Sequence, residues 1–106
     1  MSVENKMKED ITMMTYYVIA VDHNEGTREN PVMRTDYVGI DKITNYITSY
    51  QIFENAKQFE SINEAKLFFK NNKEDILRSY IWGEPSNPRI VEVKFTDYVK
   101  KLSLSD

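Results

Sequence analysis

Residues 61–80 read SINEAKLFFKNNKEDILRSY, and what this stretch packs against decides the fold. It opens on a capping box. Ser61 stands three residues before Glu64, so its hydroxyl can accept from the Glu64 amide while the Glu64 carboxylate reaches back to the Ser61 amide. Downstream, Ile62, Ala65, Phe69, Ile76 and Tyr80 recur at spacings of 3, 4, 7 and 4 residues, which puts them on one helical face that Phe68 and Leu77 widen. The pattern predicts a helix from 62 to about 81, with a weak point at Asn71-Asn72. A helix with one apolar face must bury it against another layer, and the flanking sequence supplies strands.

Toward the N-terminus, residues 52–56 predict a single helical turn and 57–59 an extended link. Residues 34–48, RTDYVGIDKITNYIT, are rich in Tyr, Val, Ile and Thr; they predict strands over 34–40 and 43–48 around a tight turn at Asp41-Lys42. Gly39 inside the first of these marks a bulge or a close backbone crossing. Residues 14–21, MTYYVIAV, set Tyr16, Val18 and Ala20 on one face and Tyr17, Ile19 and Val21 on the other, the pattern of a central strand. Residues 22–31, DHNEGTRENP, are dense in turn formers and end it. Residues 1–12 lack an apolar period and read as a flexible arm before a single domain over 13–106.

Toward the C-terminus, the glycine and prolines of residues 83–88, GEPSNP, forbid further helix. Residues 89–96 then alternate, with Val91, Val93 and Phe95 on a dry face and Glu92, Lys94 and Thr96 on a wet one. Residues 98–106 fit either a strand extension or a short amphipathic helix. The order is β-β-β-α-β: an α+β fold with one main helix packed on a small, mostly antiparallel sheet.

Composition bounds the function. The chain has 106 residues, 41% of them hydrophobic and 29% charged, enough for one core and too short for a second. Seven Tyr, five Phe and one Trp supply much of the apolar area. No cysteine is present, which excludes thiolate nucleophiles, disulfides and Cys-based zinc sites, and fits a reducing cytoplasm. No apolar run approaches the ~18 residues of a membrane helix, and the polar, acidic start MSVENKMKED is unlike a signal peptide. The net charge of −3 with scattered Lys and Arg argues against a phosphate-tracking surface.

Catalytic constellations are not legible. His23, the only histidine, neighbours Asp22 and Glu25, but a metal site needs three or four convergent ligands, and turn polarity explains the group as well. The carboxylates Glu54, Glu60, Glu64, Glu74, Asp75 and Glu84 read as caps and solvated helix faces. Gly26, Gly39 and Gly83 are isolated, so no phosphate-cradling loop forms. The expectation is a non-enzyme with no cofactor and no metal. Two groups suggest contact surfaces. Tyr80, Trp82 and Glu84 set the single Trp at a helix end beside a Gly/Pro loop, where it either anchors a partner or caps the core. Tyr37, Tyr46 and Tyr50 form either a contact face or the wet side of a hairpin.

The passage Glu54-Asn55-Ala56-Lys57-Gln58-Phe59-Glu60-Ser61, followed by Glu64-Ala65 and Phe68-Phe69, resembles short phage and prophage proteins. These open on a strand like Tyr16-Tyr17-Val18-Ile19 and finish on one like Arg89-Ile90-Val91-Glu92-Val93. The resemblance spans about residues 14–97 and carries over no catalytic residue. It implies a phage-type protein acting in the cytoplasm of a bacterial host, binding and modulating or inhibiting a host protein, as an anti-defence inhibitor would. The alternative is a nucleic-acid-associated accessory domain that uses sheet tyrosines for stacking. Homodimerisation through an exposed sheet edge is compatible with either.

Overall fold

The computed structural model describes residues 11–78 and 85–98. Four strands and one helix follow one another as β1 (Ile11–Asn24), β2 (Met33–Ile40), β3 (Ile47–Tyr50), α1 (Ile62–Ile76) and β4 (Ser86–Tyr98), with a 3-10 turn at Phe53–Asn55. The sheet order is β3-β2-β1-β4 and every neighbouring pair is antiparallel, the α+β arrangement expected from sequence. β1 starts at Ile11, so pairing takes in the last two positions of the expected arm.

Residues 17, 19, 21 and 23 of β1 lie under the helix. Ile19 and Val21 join Val38, Phe59, Ala65 and Ile76 in the buried core, and Tyr17, Ile47, Phe68, Phe69, Leu77 and Ile90 pack around it. Ala65 has no exposed surface and, with Ile76, carries the buried side of α1. The Ser61 hydroxyl accepts from the Glu64 amide at 3.1 Å, as the capping box requires. The reciprocal arm differs: the Glu64 carboxylate accepts from the amide of Glu60, not of Ser61. Asn72 leaves helical geometry (φ −125°, ψ 20°) while its side-chain amide donates to the Phe68 carbonyl at 2.9 Å. That locates the weak point at Asn72; the helix still continues to Ile76, short of the expected limit near 81.

The β2–β3 connection is longer than the expected tight turn. The Asp41 carboxylate accepts from the amides of Ile43 (2.8 Å) and Thr44 (2.9 Å), and Asn45 takes a left-handed φ of 61°. Those local bonds compete with strand pairing and delay β3 to Ile47, leaving Ile43 94% exposed instead of in a strand. Asn24 organises the β1–β2 loop similarly, its carboxamide oxygen accepting from Gly26 and Val32 at 2.9 Å each.

β1 and β2 pair only over residues 20–24 of β1. Below that, the link expected at 57–59 fills the gap: Tyr17 and Phe59 exchange both backbone bonds (2.9 and 2.8 Å), and the Lys57 amide donates to the Val38 carbonyl at 3.0 Å. Backbone groups that would otherwise be orphaned in the sheet are thereby paired.

Candidate functional site

Register fixes which side of β4 meets the helix, and the outcome inverts a simple reading of its alternation. Ile90 stands opposite Ile19 and Glu92 opposite Tyr17, so the Ile90/Glu92 side faces α1, and Ile90 packs on the core there. Val91, Val93 and Phe95 stand opposite Val18, Tyr16 and Met14, on the face that α1 leaves open. The dry side of β4 therefore turns away from the helix. Phe95 and Met14 remain 38% and 44% exposed.

The open face is partly roofed by the chain between β3 and α1. Phe53 of the 3-10 turn meets Tyr37 edge-on at 6.1 Å between ring centres, and Tyr16 meets Phe95 edge-on at 5.6 Å. Between these rings lies a shallow depression of ≈ 380 Å³ lined by Tyr16, Phe53, Val93 and Phe95, with Glu54, Gln58 and Lys94 at its rim. Burial, and then the nearby Glu54 carboxylate, push the Tyr16 phenol above its ordinary pKa, so its hydroxyl stays neutral. The site is an apolar, aromatic surface with a polar rim.

Above it, a polar clamp ties three strands. Asp22 accepts from the Thr35 hydroxyl (2.9 Å) and the Asn87 amide (3.1 Å) and pairs with Arg89 at 3.0 Å. The Asn87 bond foremost, with help from Thr35 and Arg89, holds the Asp22 carboxyl below its usual range. On the helix side, His23 is not in a turn. It lies in β1, 3% exposed, with Nε2 3.2 Å from the buried Asp36 carboxylate. Arg34 donates to Asp36 through Nε and Nη2, at 2.9 Å each, and also pairs with Glu25. Strand propagation past Val21 carries His23 inward beside Asp36, the other buried polar residue, where a polar group needs a partner. Among the described residues, no three His, Cys, Asp or Glu side chains gather as a metal-ligand group.

Of the tyrosines read as either a contact face or the wet side of a hairpin, Tyr37 and Tyr50 stand opposite each other across the β2–β3 ladder, and Tyr46 stands apart from them. Tyr46 is 74% exposed in the β2–β3 loop. Tyr37 packs on Phe53, and Tyr50 lies against Gly39, both half-buried on the open face. Tyr80, Trp82 and Glu84 lie outside the described residues. Glu64 caps α1, and Asp75 pairs with Arg78 at 2.8 Å, as befits a solvated helix face. Tyr16, Phe53 and Phe95 form the surface that sequence reasoning missed. The alternation of 91, 93 and 95 was the available signal; only its phase against β1 was lacking. No helix of the described residues is long and apolar enough to cross a membrane. The chain matches no protein-family model, no curated protein and no solved structure.

Proposed function

We propose that the protein is a non-catalytic binding module that takes a partner protein on the open face of its sheet. The observation that carries this reading is the phase of β4, which leaves Met14, Tyr16, Val93 and Phe95 on the side of the sheet away from α1. Rigid aromatic area inside a polar rim is the anatomy of a protein contact: rings lose few rotors on binding, and the rim groups can stay hydrated. The resemblance to short phage and prophage proteins makes a bacterial host protein the partner class. Inhibition would then proceed by occlusion, the sheet face covering a functional surface of that host protein. The nucleic-acid reading has less support, because Tyr37 and Tyr50 spend their rings on Phe53 and Gly39 and the chain carries a net charge of −3 with its Lys and Arg scattered.

The test is affinity capture from nuclease-treated bacterial lysate with the wild type, Phe95→Glu and Tyr46→Ala in parallel. The expected result is a protein retained by the wild type and by Tyr46→Ala and lost with Phe95→Glu. Equal capture by all three, or nucleic acid as the retained species, would overturn the assignment.

A further inference from the structure

β4 is an edge strand of 13 residues, and among the described residues nothing pairs with its outer side. Proteins protect such edges with prolines, bulges or inward-pointing charges, because bare backbone groups there invite another strand. Here Pro88 and a register shift interrupt the start of β4, while residues 89–97 pair regularly with β1 and carry the oppositely charged Glu92 and Lys94. We propose that this edge pairs with the same edge of a second copy, antiparallel about a two-fold axis at Val93, giving one continuous eight-stranded sheet.

Backbone geometry sets which residues can pair. Tyr17 spends both its backbone groups on Phe59, on the side of β1 away from β4. The Tyr17–Glu92 pair is therefore a non-hydrogen-bonded one, and Glu92 turns its own N–H and C=O outward. With the strand period of two, Ile90, Lys94 and Thr96 do the same. Outward-facing residues must meet outward-facing residues, so a symmetric antiparallel pairing has to centre on a residue, not between two.

Charge selects the residue. Centred on Val93, Glu92 meets Lys94 of the second copy. This pair occurs twice by symmetry and joins opposite charges. A centre at Glu92 or Lys94 would set like charges against each other, and centres at Val91 or Phe95 would leave Glu92 and Lys94 without opposite partners. The Val93 centre also brings Val93 against Val93 and Val91 against Phe95 on the open face. Glu92 and Lys94 are half to two-thirds exposed and only 3.8 Å apart within one chain, so both can turn to a second copy without repacking the core. Because the axis is perpendicular to the sheet, the two open faces lie on the same side and form one double-width surface. The dimer does not depend on the partner-binding reading.

Sedimentation equilibrium of the full chain at about 100 μM, where even a micromolar Kd keeps a dimer populated, should return twice the 12.5 kDa chain mass. Glu92→Lys should weaken the dimer about tenfold or more by placing Lys against Lys94 twice. The double variant Glu92→Lys/Lys94→Glu should restore it. Register is read separately: the chain has no native cysteine, so Val93→Cys supplies a single thiol. A non-hydrogen-bonded pair sets Cα atoms about 4.5 Å apart, within disulfide reach, so mild oxidation should link Val93→Cys dimers and leave Val91→Cys unlinked. A monomeric wild type overturns the proposal, as does a dimer indifferent to Glu92→Lys, one the double variant fails to restore, or linkage through Val91→Cys in place of Val93→Cys.

Discussion

Tyr50 lays its ring across Gly39 so closely that a Cβ on Gly39 would stand 2.5 Å from Tyr50 Cε2 and 2.7 Å from Cδ2. Gly39 is the glycine inside β2, diagonal to Tyr50 across the β2–β3 ladder, and the missing side chain makes room for the ring. The close approach signalled in the sequence is thus a ring on backbone, not a bulge. It holds the short edge strand β3 down on the open face.

Gly39→Ala should therefore destabilise the fold by about 1–3 kcal/mol through overpacking. In a Tyr50→Ala background the same substitution should cost close to nothing. Urea titrations of the four proteins in this cycle measure the coupling; an equal cost in both backgrounds would place the strain elsewhere.

Loss of the helix cap is a smaller effect. Ser61→Ala removes the acceptor of the Glu64 amide and should cost on the order of 1 kcal/mol, while Ser61→Asp should retain most of the stability. Thermal melts at fixed pH check both.

The buried carboxylate should matter most. Asp36→Ala leaves His23 and Arg34 without the group they share, and breaking a buried pair from one side typically costs about 3–5 kcal/mol. Glu25→Ala removes only the outer, solvent-washed contact of Arg34 and should stay within about 1 kcal/mol. Similar losses from the two substitutions in denaturant titrations would mean that burial is not what makes Asp36 matter.

Acid should loosen the clamp at Asp22. Its folded pKa is lowered below 3.8, chiefly by Asn87, so its contribution is fully present above that value and is lost as pH falls through the folded pKa. Asp41, lowered by the Thr44 and Ile43 amides, acts in the same direction and the same window. Asp22→Asn should be less stable than the wild type at neutral pH, with the gap closing once the pH falls below the ordinary carboxylate value. Stability measured against pH for both proteins tests the sign; a gap that widens in acid would contradict it.

The local features were legible in the sequence because their causes are local. Ser61 and Glu64 announce the helix start, since a hydroxyl three residues before a carboxylate satisfies orphan amides without help from the rest of the chain. The loop formers beyond Asn24, the extended link at 57–59 and the alternation of β4 follow from the same short-range chemistry. Even the missed β3 boundary had its signal in Asp41 and Asn45, whose side chain and left-handed φ hold a loop where β-branched neighbours suggested a strand. What the sequence could not supply was phase. Alternation along β4 is unchanged when the strand is turned over, so residues 91, 93 and 95 read as core from their own pattern. Pairing Val93 with Tyr16, and Ile90 with Ile19, is a long-range choice, and it alone sends Phe95 to the open face. His23 changed its meaning for the same reason: its neighbours are turn formers along the chain, but across the strands it meets Asp36.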